Sequence, residues 1–405
     1  MMRFSAAMMA TVLSFVTWAA KPEFVTLYLD ADRTGHLESA QSIEQGVKVA
    51  LAEVDNQLNG VPVRFVVRDH RGNVKRSKRH MDEFLRDPNA LVFVAGMHSP
   101  PLIKYRDFIN QQGILTLVPW AAGTPITRSL DSDQNFIFRL SVDDSKVGGF
   151  LLNVAFEQGC TVPHLVLENT GWGKSNYKAM MRALPSDVDA EVKVSWFDWG
   201  IQASDARNIV RQAQQDKAQC LLLVGNAREG KNIVDAVAEL NASLPVYSHW
   251  GITGGQFAQN VPFEVREKAQ LTFVQSCFNF YSNALTPFQA GVLERASRMF
   301  PEHFTSTNIQ APAGFVHGYD LTRVLIAAAN RIEWQQEMTA NRRALKVALE
   351  SLEAPVQGLV KRYQHPFSPV SRENMDAHEA LSAQDLCMAM YDEHDGVKLR
   401  LTDSQ

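Results

Sequence analysis

The chain has 405 residues, of which 45% are hydrophobic and 21% are charged, and its formal net charge is -4. Because single hydrophobic cores stop growing at roughly 250 to 300 residues, this length predicts two lobes. The charge balance excludes a strong general attraction to polyanions, so nucleic acid is not an expected partner. No spacing of histidines or cysteines predicts a metal site, and no cofactor is expected.

The first residues differ in composition from the rest of the chain. A lone basic residue, Arg3, precedes an apolar run from Phe4 to Trp18. This pattern predicts a secretory signal peptide over residues 1–19, cleaved near Ala19, where Thr17 and Ala19 supply the small side chains. An uncleaved anchor is disfavoured because a spanning helix needs about 20 apolar residues. We therefore expect the mature protein outside the cytoplasm and not embedded in the membrane.

The chain has four cysteines, Cys160, Cys220, Cys277 and Cys387. An oxidising compartment permits two disulfides, but a large domain does not need them. We expect buried free thiols. The one pairing that we would test joins Cys160 to Cys220, because each precedes a predicted strand of the same lobe.

Strand and helix patterns alternate from the predicted mature N-terminus onward. Phe24 to Ala31 is a predicted strand, an amphipathic helix from Leu37 to Leu58 follows, and Val61 to Asp69 is the next strand. The apolar runs "LVFVAG" and "ILTLV" continue the series, which restarts later with "HLVLEN", "AEVKVSWFDW", "CLLLVGN" and "LPVYSH". Such alternation predicts βαβ units. The expected fold class is α/β, with two doubly wound parallel-sheet lobes.

The end of the chain breaks this alternation. Long helical patterns cover Pro287 to Phe300 and Ala311 to Glu333, and "DLCMAMYDEHDGVKLRL" alternates like an antiparallel hairpin. We expect three crossings between the lobes, near residues 140, 278 and 354. Lobe 1 then comprises residues 20–139 plus 279–353, and lobe 2 comprises residues 140–278 plus 354–405. Three connections form a hinge about which each lobe rotates as a rigid body.

Loops that follow the strands are the expected ligand-binding segments, because open parallel sheets bind ligands beyond the carboxyl ends of their strands. Three of these loops, "PWAAGT", "ENTGWGK" and "SHWGITGG", contain Trp120, Trp172 and Trp250. Aromatic rings with a few polar groups are typical of small-molecule sites. Alternatively, each tryptophan seals the surface between the lobes or caps its own sheet.

Enzymatic motifs are absent or incomplete. The stretch "GNAREGKN", Gly225 to Asn232, has the glycine and lysine spacing of a phosphate-binding loop, but Asn232 stands where the Mg²⁺-ligating Ser or Thr belongs. The sequence has no Gly-x-Ser-x-Gly and no His-Glu-x-x-His. We therefore expect a protein that is not an enzyme.

Several stretches of the sequence, taken in order along the chain, resemble those of a known family. They are "SIEQGVKVALAEVDNQLNGVPVRFVVRD", "FVAGMHSPP", "QQGILTLVPWAAGTPIT", "GFVHGYD" and a closing "VQGLVKRY". The chain resembles the type I periplasmic solute-binding proteins, particularly the branched-chain amino acid binding proteins that feed ABC transporters. The resemblance covers nearly the whole mature chain. It implies two lobes, a hinge and capture of a small solute by closure.

Carried over position by position, the resemblance implies ligand contacts from both lobes. The implied ligand-binding residues are His98, Ser99, Trp120, Ala121, Ala122, Trp172, Asn226, Ala227, Trp250 and Phe315. Among them, Ser99 matches a serine that holds the ligand carboxylate, and Trp172 matches an aromatic lid. The polar aromatic residue of the family matches Asn226 or Ala227.

The departures from the family pattern concern the ligand. Ala122 replaces the expected threonine, and Trp250 stands where an acid pairs with the α-ammonium group. The family's loop cysteines are replaced near Gly72 and His98. A buried ammonium without a carboxylate costs on the order of several kcal/mol, so an ordinary amino acid is disfavoured.

Three acids could still replace the missing ammonium partner, namely Glu38, Asp69 and Glu229. Otherwise we expect an apolar or aromatic ligand, or a cation enclosed by Trp120, Trp172 and Trp250. The cation is plausible because a desolvated cation over tryptophan is stabilised by about 2 kcal/mol. We expect an ABC permease to recognise the closed, ligand-bound form. A membrane sensor such as a histidine kinase or a cyclase is the alternative.

Overall fold

The computed structural model describes residues 21–128, 135–184, 192–281, 284–304 and 309–400. The predicted signal peptide lies outside the described residues. In chain order the strands are β1 (Val25–Ala31), β2 (Gln57–Leu58), β3 (Val61–Asp69), β4 (Ala90–Ala95), β5 (Thr116–Val118), β6 (Ile137–Arg139), β7 (Pro163–Glu168), β8 (Lys193–Phe197), β9 (Cys220–Val224), β10 (Val246–Ser248), β11 (Thr272–Ser276), β12 (Val356–Gln357), β13 (Arg362–Tyr363), β14 (Leu386–Tyr391) and β15 (Val397–Arg400).

The α-helices alternate with these strands and then follow one another toward the end of the chain. They are α1 (Leu37–Ala52), α2 (Val74–Arg86), α3 (Ser99–Gln111), α4 (Asp144–Glu157), α5 (Gly171–Ala183), α6 (Ala203–Gln215), α7 (Ala227–Glu239), α8 (Phe257–Asn260), α9 (Phe263–Lys268), α10 (Pro287–Met299), α11 (Pro312–Ala329) and α12 (Met338–Glu350). Within the described ranges, no helix has the length and hydropathy that crossing a bilayer requires.

The parallel strands of the two sheets follow the same order, β3-β1-β4-β5-β6 in the first and β8-β7-β9-β10-β11 in the second. The first runs β2-β3-β1-β4-β5-β6, and the second runs β15-β14-β11-β10-β9-β7-β8. Strands β1 and β3 to β6 pair in parallel in the first sheet, and strands β7 to β11 pair in parallel in the second. Every residue of β1, β4 and β7 is buried, as expected of strands covered by helices on both faces. The predicted α/β fold with two doubly wound sheets is confirmed.

Antiparallel strands occupy one edge of each sheet. Strand β2 joins β3 at the edge of the first sheet, while β14 and β15 extend the second as the predicted C-terminal hairpin. A separate small hairpin pairs β12 with β13. The first sheet ends at Arg139 and α4 begins at Asp144. The residue boundaries of the lobes and the three crossings stay predictions.

Helices α1 and α11 meet backbone to backbone. A Cβ at Gly46 would lie 2.2 Å from the carbonyl oxygen of Phe315, and one at Gly318 would lie 2.9 Å from that of Ile43. Only glycine permits this approach. The contact fixes α11 beside α1, next to the carboxyl ends of the first sheet.

A buried ion network joins β6, α4 and a C-terminal segment. The Arg139 side chain is fully buried and donates from Nη2 to Asp143 Oδ2 at 2.8 Å and to Glu379 Oε1 at 2.5 Å. Its Nη1 donates to the carbonyl oxygen of Gly123 at 2.9 Å. Lys146 contacts Glu379 at 3.2 Å and Arg128 contacts Asp143 at 3.3 Å, so three cations face these two carboxylates. The network thereby anchors the loop that follows β5.

Both cysteine pairs form disulfides. Cys160 bonds to Cys220, as in the pairing that we singled out, and Cys277 bonds to Cys387. The expectation of buried free thiols is therefore wrong. The second bond was not foreseen because Cys387 lies in β14, whose antiparallel pairing with β11 brings the distant cysteine beside Cys277. Two disulfides agree with an extracytoplasmic location.

Removing the Cys277 to Cys387 bond is expected to destabilise the protein. The bond closes a loop with a sequence separation of 110, and such cross-links typically stabilise by about 2 to 4 kcal/mol through the unfolded chain. Urea unfolding of the variant with Cys277→Ser and Cys387→Ser should show this loss under oxidising conditions. Wild type and variant should differ less in dithiothreitol. Equal stabilities under oxidising conditions would contradict the prediction.

Candidate ligand-binding site

A cavity lies among loops that follow strands of both sheets. Together with the open solvent at its mouth, it spans about 310 Å³. The residues from the first sheet are Met97, His98, Ser99, Pro100, Trp120 and Ala122, and those from the second are Glu168, Trp172, Trp199, Asn226, Trp250 and Gly251. Each group follows the carboxyl end of a parallel strand, where ligands of open α/β sheets bind. Contact with both sheets is what lets a ligand favour a closed state.

Trp120 forms one wall and is held from behind by α11. Its side chain is 2% exposed, and a Cβ at Gly314 would lie 2.7 Å from a carbon of its ring. The preceding Pro119 carbonyl accepts a hydrogen bond from His317 Nδ1 at 2.9 Å. Burial lowers the pKa of His317 to about 4, so the imidazole is neutral and its Nδ1 carries the proton. The ring of Trp120 is therefore fixed in place by packing.

Trp172 and Trp250 form a second wall around a buried histidine. The ring of His249 lies edge-on to both, with centroid distances of 4.9 Å to Trp172 and 4.6 Å to Trp250. Asp144 Oδ1 accepts hydrogen bonds from Trp172 Nε1 at 3.2 Å and from His249 Nε2 at 3.1 Å. A Cβ at Gly251 would lie 2.6 Å from the Trp172 ring, so glycine is required for this packing.

A carboxylate lies in the cavity wall at Glu168, the last residue of β7. It is 1% exposed, and its Oε1 and Oε2 accept hydrogen bonds from Thr170 Oγ1 at 2.9 Å and Asn226 Nδ2 at 3.0 Å. Burial raises its pKa to about 7, and the nearby Glu229 adds to the increase, while donors from Trp199 and Thr170 oppose it. The carboxyl therefore titrates near neutral pH, so a bound cation would favour its ionised form.

Trp199 reaches from the second sheet to the first. It follows β8 and remains 42% exposed, yet its ring centroid is 5.2 Å from that of His98. A Cβ at Gly72, where φ is +64°, would lie 3.1 Å from the same indole. The side chain thus covers the cavity from outside, and its proximity to Glu168 opposes the rise in the pKa of that carboxyl.

Three histidines cluster beside this indole. The ring of His98 lies 5.0 Å from that of His36 and 5.5 Å from that of His70. Burial, followed by the two neighbouring histidines, lowers the pKa of His98 well below its usual range. His98 is therefore neutral at physiological pH.

A second, more polar cavity, which spans about 790 Å³ together with the open solvent at its mouth, adjoins His36. It separates the loop after β1 from the start of α7 and from residues 255–260. Its lining includes Glu38, Ala227, Arg228 and Lys231.

Residues 31–379 match the protein family described as "Periplasmic binding protein". The chain belongs to the periplasmic binding protein family. The resemblance that the sequence phrases indicated is thereby confirmed, and the family is one of solute-binding proteins and not of enzymes. No curated protein sequence matches the chain.

Solved structures of periplasmic binding proteins share the fold. An ABC transporter solute-binding protein of R. palustris in complex with benzoate is 14% identical, with a TM-score of 0.73 over 93% of this chain and 95% of its own. A leucine-binding protein of Thermotoga maritima is 14% identical, with a TM-score of 0.72 over 93% and 98%. A fatty acid ABC transporter substrate-binding protein of Thermomonospora curvata is 16% identical, with a TM-score of 0.70 over 94% and 92%.

Seven of the ten ligand-binding residues predicted for this periplasmic binding protein line the 310 Å³ cavity, namely His98, Ser99, Trp120, Ala122, Trp172, Asn226 and Trp250. The other three do not. Ala121 packs into the core on the opposite side of its loop, and Ala227 lines the second cavity. The ring of Phe315 lies 5.7 Å from Phe280 and 4.8 Å from Phe304 in the core, while its neighbour Gly314 contacts Trp120.

Glu168 and Trp199 are cavity residues of this binding protein that the sequence did not single out. Glu168 ends β7 and begins the predicted loop "ENTGWGK", so its position at the carboxyl end of a strand was a usable signal. Trp199 was assigned to the last position of the predicted strand "AEVKVSWFDW", which in fact ends at Phe197. Gly200, with φ of +78°, completes the turn that ends this strand.

Proposed function

We propose that this periplasmic binding protein captures a small organic cation with aromatic or apolar surface and delivers it to an ABC permease. One observation carries the proposal. Glu168 is a buried carboxylate in a cavity with four tryptophans, and among the described residues no lysine or arginine lines that cavity. A cation there pairs with Glu168 and contacts the faces of the aromatic rings.

An anionic ligand is disfavoured by the same lining. A carboxylate beside ionised Glu168 would experience like-charge repulsion in a site with little water. Few hydrogen-bond donors are free to stabilise an anion, since the Asn226 amide donates to Glu168 and the Trp172 N–H donates to Asp144. The benzoate and fatty acid named for two structural relatives are therefore not the expected ligand class here.

An amino acid remains the second candidate because Glu168 replaces the missing ammonium partner. None of the three acids first considered, Glu38, Asp69 and Glu229, lines this cavity. The carboxylate of an amino acid would still lack the threonine hydroxyl, since Ala122 stands there. Ser99 Oγ accepts from the Gly123 amide at 3.1 Å and retains one proton to donate. Neutral His98 adds one unpaired N–H, and with no threonine, lysine or arginine in the described lining these two neutral donors form a weak carboxylate site, so an amine without a carboxylate is favoured.

A thermal-shift panel on the purified mature protein tests the ligand class. The panel compares choline and benzylamine with benzoate, octanoate and the common L-amino acids, each at millimolar concentration. We expect the two cations to raise the melting temperature and the carboxylates to leave it unchanged. Stabilisation by benzoate, octanoate or an L-amino acid, with none by the cations, would overturn the proposed ligand class.

Uptake measurements test delivery to a permease. Cells lacking this protein should lose uptake of the labelled cation that stabilises it most, and expression of the protein should restore that uptake. Unchanged uptake would instead favour the alternative role beside a membrane sensor.

A further inference from the structure

We propose that Asp32, His36 and His98 form a binding site for a divalent transition metal ion of the zinc class. One potential ligand atom from each of the three residues lies within 4.8 Å of the other two. Zinc binds nitrogen and oxygen ligands at about 2.0 to 2.2 Å, so neighbouring ligands of a tetrahedral ion lie roughly 3.4 Å apart. Small rotations of the side chains therefore bring the three atoms to coordinating distance.

The topology of the first sheet brings these residues together. Asp32 follows β1 directly, His36 immediately precedes α1, and His98 lies between β4 and α3. Strands β1 and β4 are parallel neighbours, so the loops at their carboxyl ends adjoin. The sequence did not indicate the site because its ligands come from two separate loops and follow no short motif.

His98 has the unmet bonding capacity that a metal would satisfy. It is only 6% exposed, and neither ring nitrogen has a hydrogen-bond partner among the described residues. Buried polar side-chain atoms are hydrogen-bonded in the large majority of cases, so a buried imidazole with both nitrogens unpaired requires an explanation. His36 likewise makes no hydrogen bond that caps α1.

Asp32 is oriented by its loop and keeps one oxygen for a ligand. Its Oδ1 accepts from the amides of Thr34 at 3.1 Å and Gly35 at 2.7 Å. A Cβ at Gly35 would lie 2.8 Å from the Oδ2 of Asp32, and a Cβ at Gly72 would lie 3.5 Å from the same oxygen. The two glycines therefore leave space around this oxygen. Such hydrogen bonds behind a ligand fix its direction, as in known metal sites.

His70 supports the cluster without ligating the ion. Its Nδ1 accepts a hydrogen bond from the amide of Gly72 at 3.1 Å, so its Nε2 carries the proton. A protonated ring nitrogen cannot bind a metal. The ring of His70 instead packs 5.5 Å from that of His98.

The charge around the site suits a divalent cation and remains compatible with an organic cation nearby. Asp32, Glu38 and Glu229 all act electrostatically on His36, and Arg228 opposes them. The formal charges of these three carboxylates and of Arg228 sum to about -2, which one divalent ion offsets. A bound metal thus leaves the cavity wall near His98 without an excess of positive charge.

Zinc titration without any organic ligand tests this proposal separately from the proposed function. The mature protein is stripped with chelator, equilibrated with Zn²⁺ by dialysis, and assayed for bound zinc. We expect one zinc per chain and a rise in melting temperature. His98→Ala and Asp32→Asn should each weaken binding at least about tenfold, and Asp32→Asn retains the oxygen that accepts from the loop amides.

Two further variants keep the test interpretable. His36→Gln removes a ligand that is only partly buried, so it supplies the answer if His98→Ala does not fold. His394→Ala, at an exposed histidine, should leave zinc affinity unchanged. Absence of stoichiometric binding, or equal affinity in His36→Gln and wild type, would overturn the site.

Discussion

Replacing Arg139 by alanine is expected to destabilise the protein by about 3 to 5 kcal/mol, the cost of removing one partner from a buried ion pair. The substitution leaves the carboxylates of Asp143 and Glu379 fully buried and without their shared guanidinium. Lys146 still contacts Glu379 at 3.2 Å and Arg128 Nε still lies 3.3 Å from Asp143 Oδ2, but both of these cations are partly exposed, so neither carboxylate keeps its fully buried partner. The destabilisation follows from those uncompensated charges and not from a large net contribution of the intact network.

Urea unfolding of Arg139→Ala beside Arg298→Ala measures this effect. Arg298 pairs with Glu294 on the exposed face of α10, and both side chains are more than two-thirds accessible to water. Exposed pairs of this kind contribute about 0 to 1 kcal/mol, so Arg298→Ala should be nearly neutral. A similar, small loss for both variants would show that the Arg139 network is not important for stability.

The arrangement of the sheets was predictable because their strands carry local signals. The fully buried runs of β1, β4 and β7 appear in the sequence as continuous apolar stretches between turn residues. The disulfide between Cys277 and Cys387 was not predictable, since it depends on the pairing of β14 with β11 across the second sheet. Local patterns therefore predict the elements, and long-range pairing decides which distant residues meet.

The same distinction applies to the cavity. Trp120, Trp172 and Trp250 were predicted because each lies in a loop directly after a parallel strand. The contact of Trp199 with Gly72 and His98 depends on how the two sheets face each other, which no local pattern encodes.

Phe315 illustrates the limit of position-by-position transfer. On α11, Gly314 faces Trp120, and the next residue along a helix is rotated by about 100°, so Phe315 points into the core.

Replacing Glu168 by glutamine is expected to weaken binding of the organic cation at least about 30-fold, since loss of one partner from a buried charge pair costs about 2 kcal/mol or more. Glutamine keeps the size of the side chain and an oxygen that accepts from Asn226. The loss therefore reports on charge and not on packing. Isothermal titration with the most stabilising cation of the thermal-shift panel measures it.

Glu229→Gln is the matched control. Glu229 is also buried, at 4% exposure, and accepts from the Gly200 amide at 3.0 Å, but it does not line the cavity with the four tryptophans. Its substitution should change cation affinity far less. A larger loss for Glu229→Gln than for Glu168→Gln would assign the ion-pairing role to Glu229 instead.

The pH dependence separates a charge effect from a packing effect at Glu168. Its pKa of about 7 in the folded chain, raised by burial from 4.5, means that the folded state retains a proton that the unfolded state has lost between these values. The contribution of Glu168 to stability therefore falls as pH rises through that window, and it stays low above it. Cation affinity should change in the opposite direction, rising about tenfold from about pH 6 to about pH 8 as the carboxyl ionises. In Glu168→Gln that rise should disappear, whereas a rise that persists in the variant would show that another group controls cation binding.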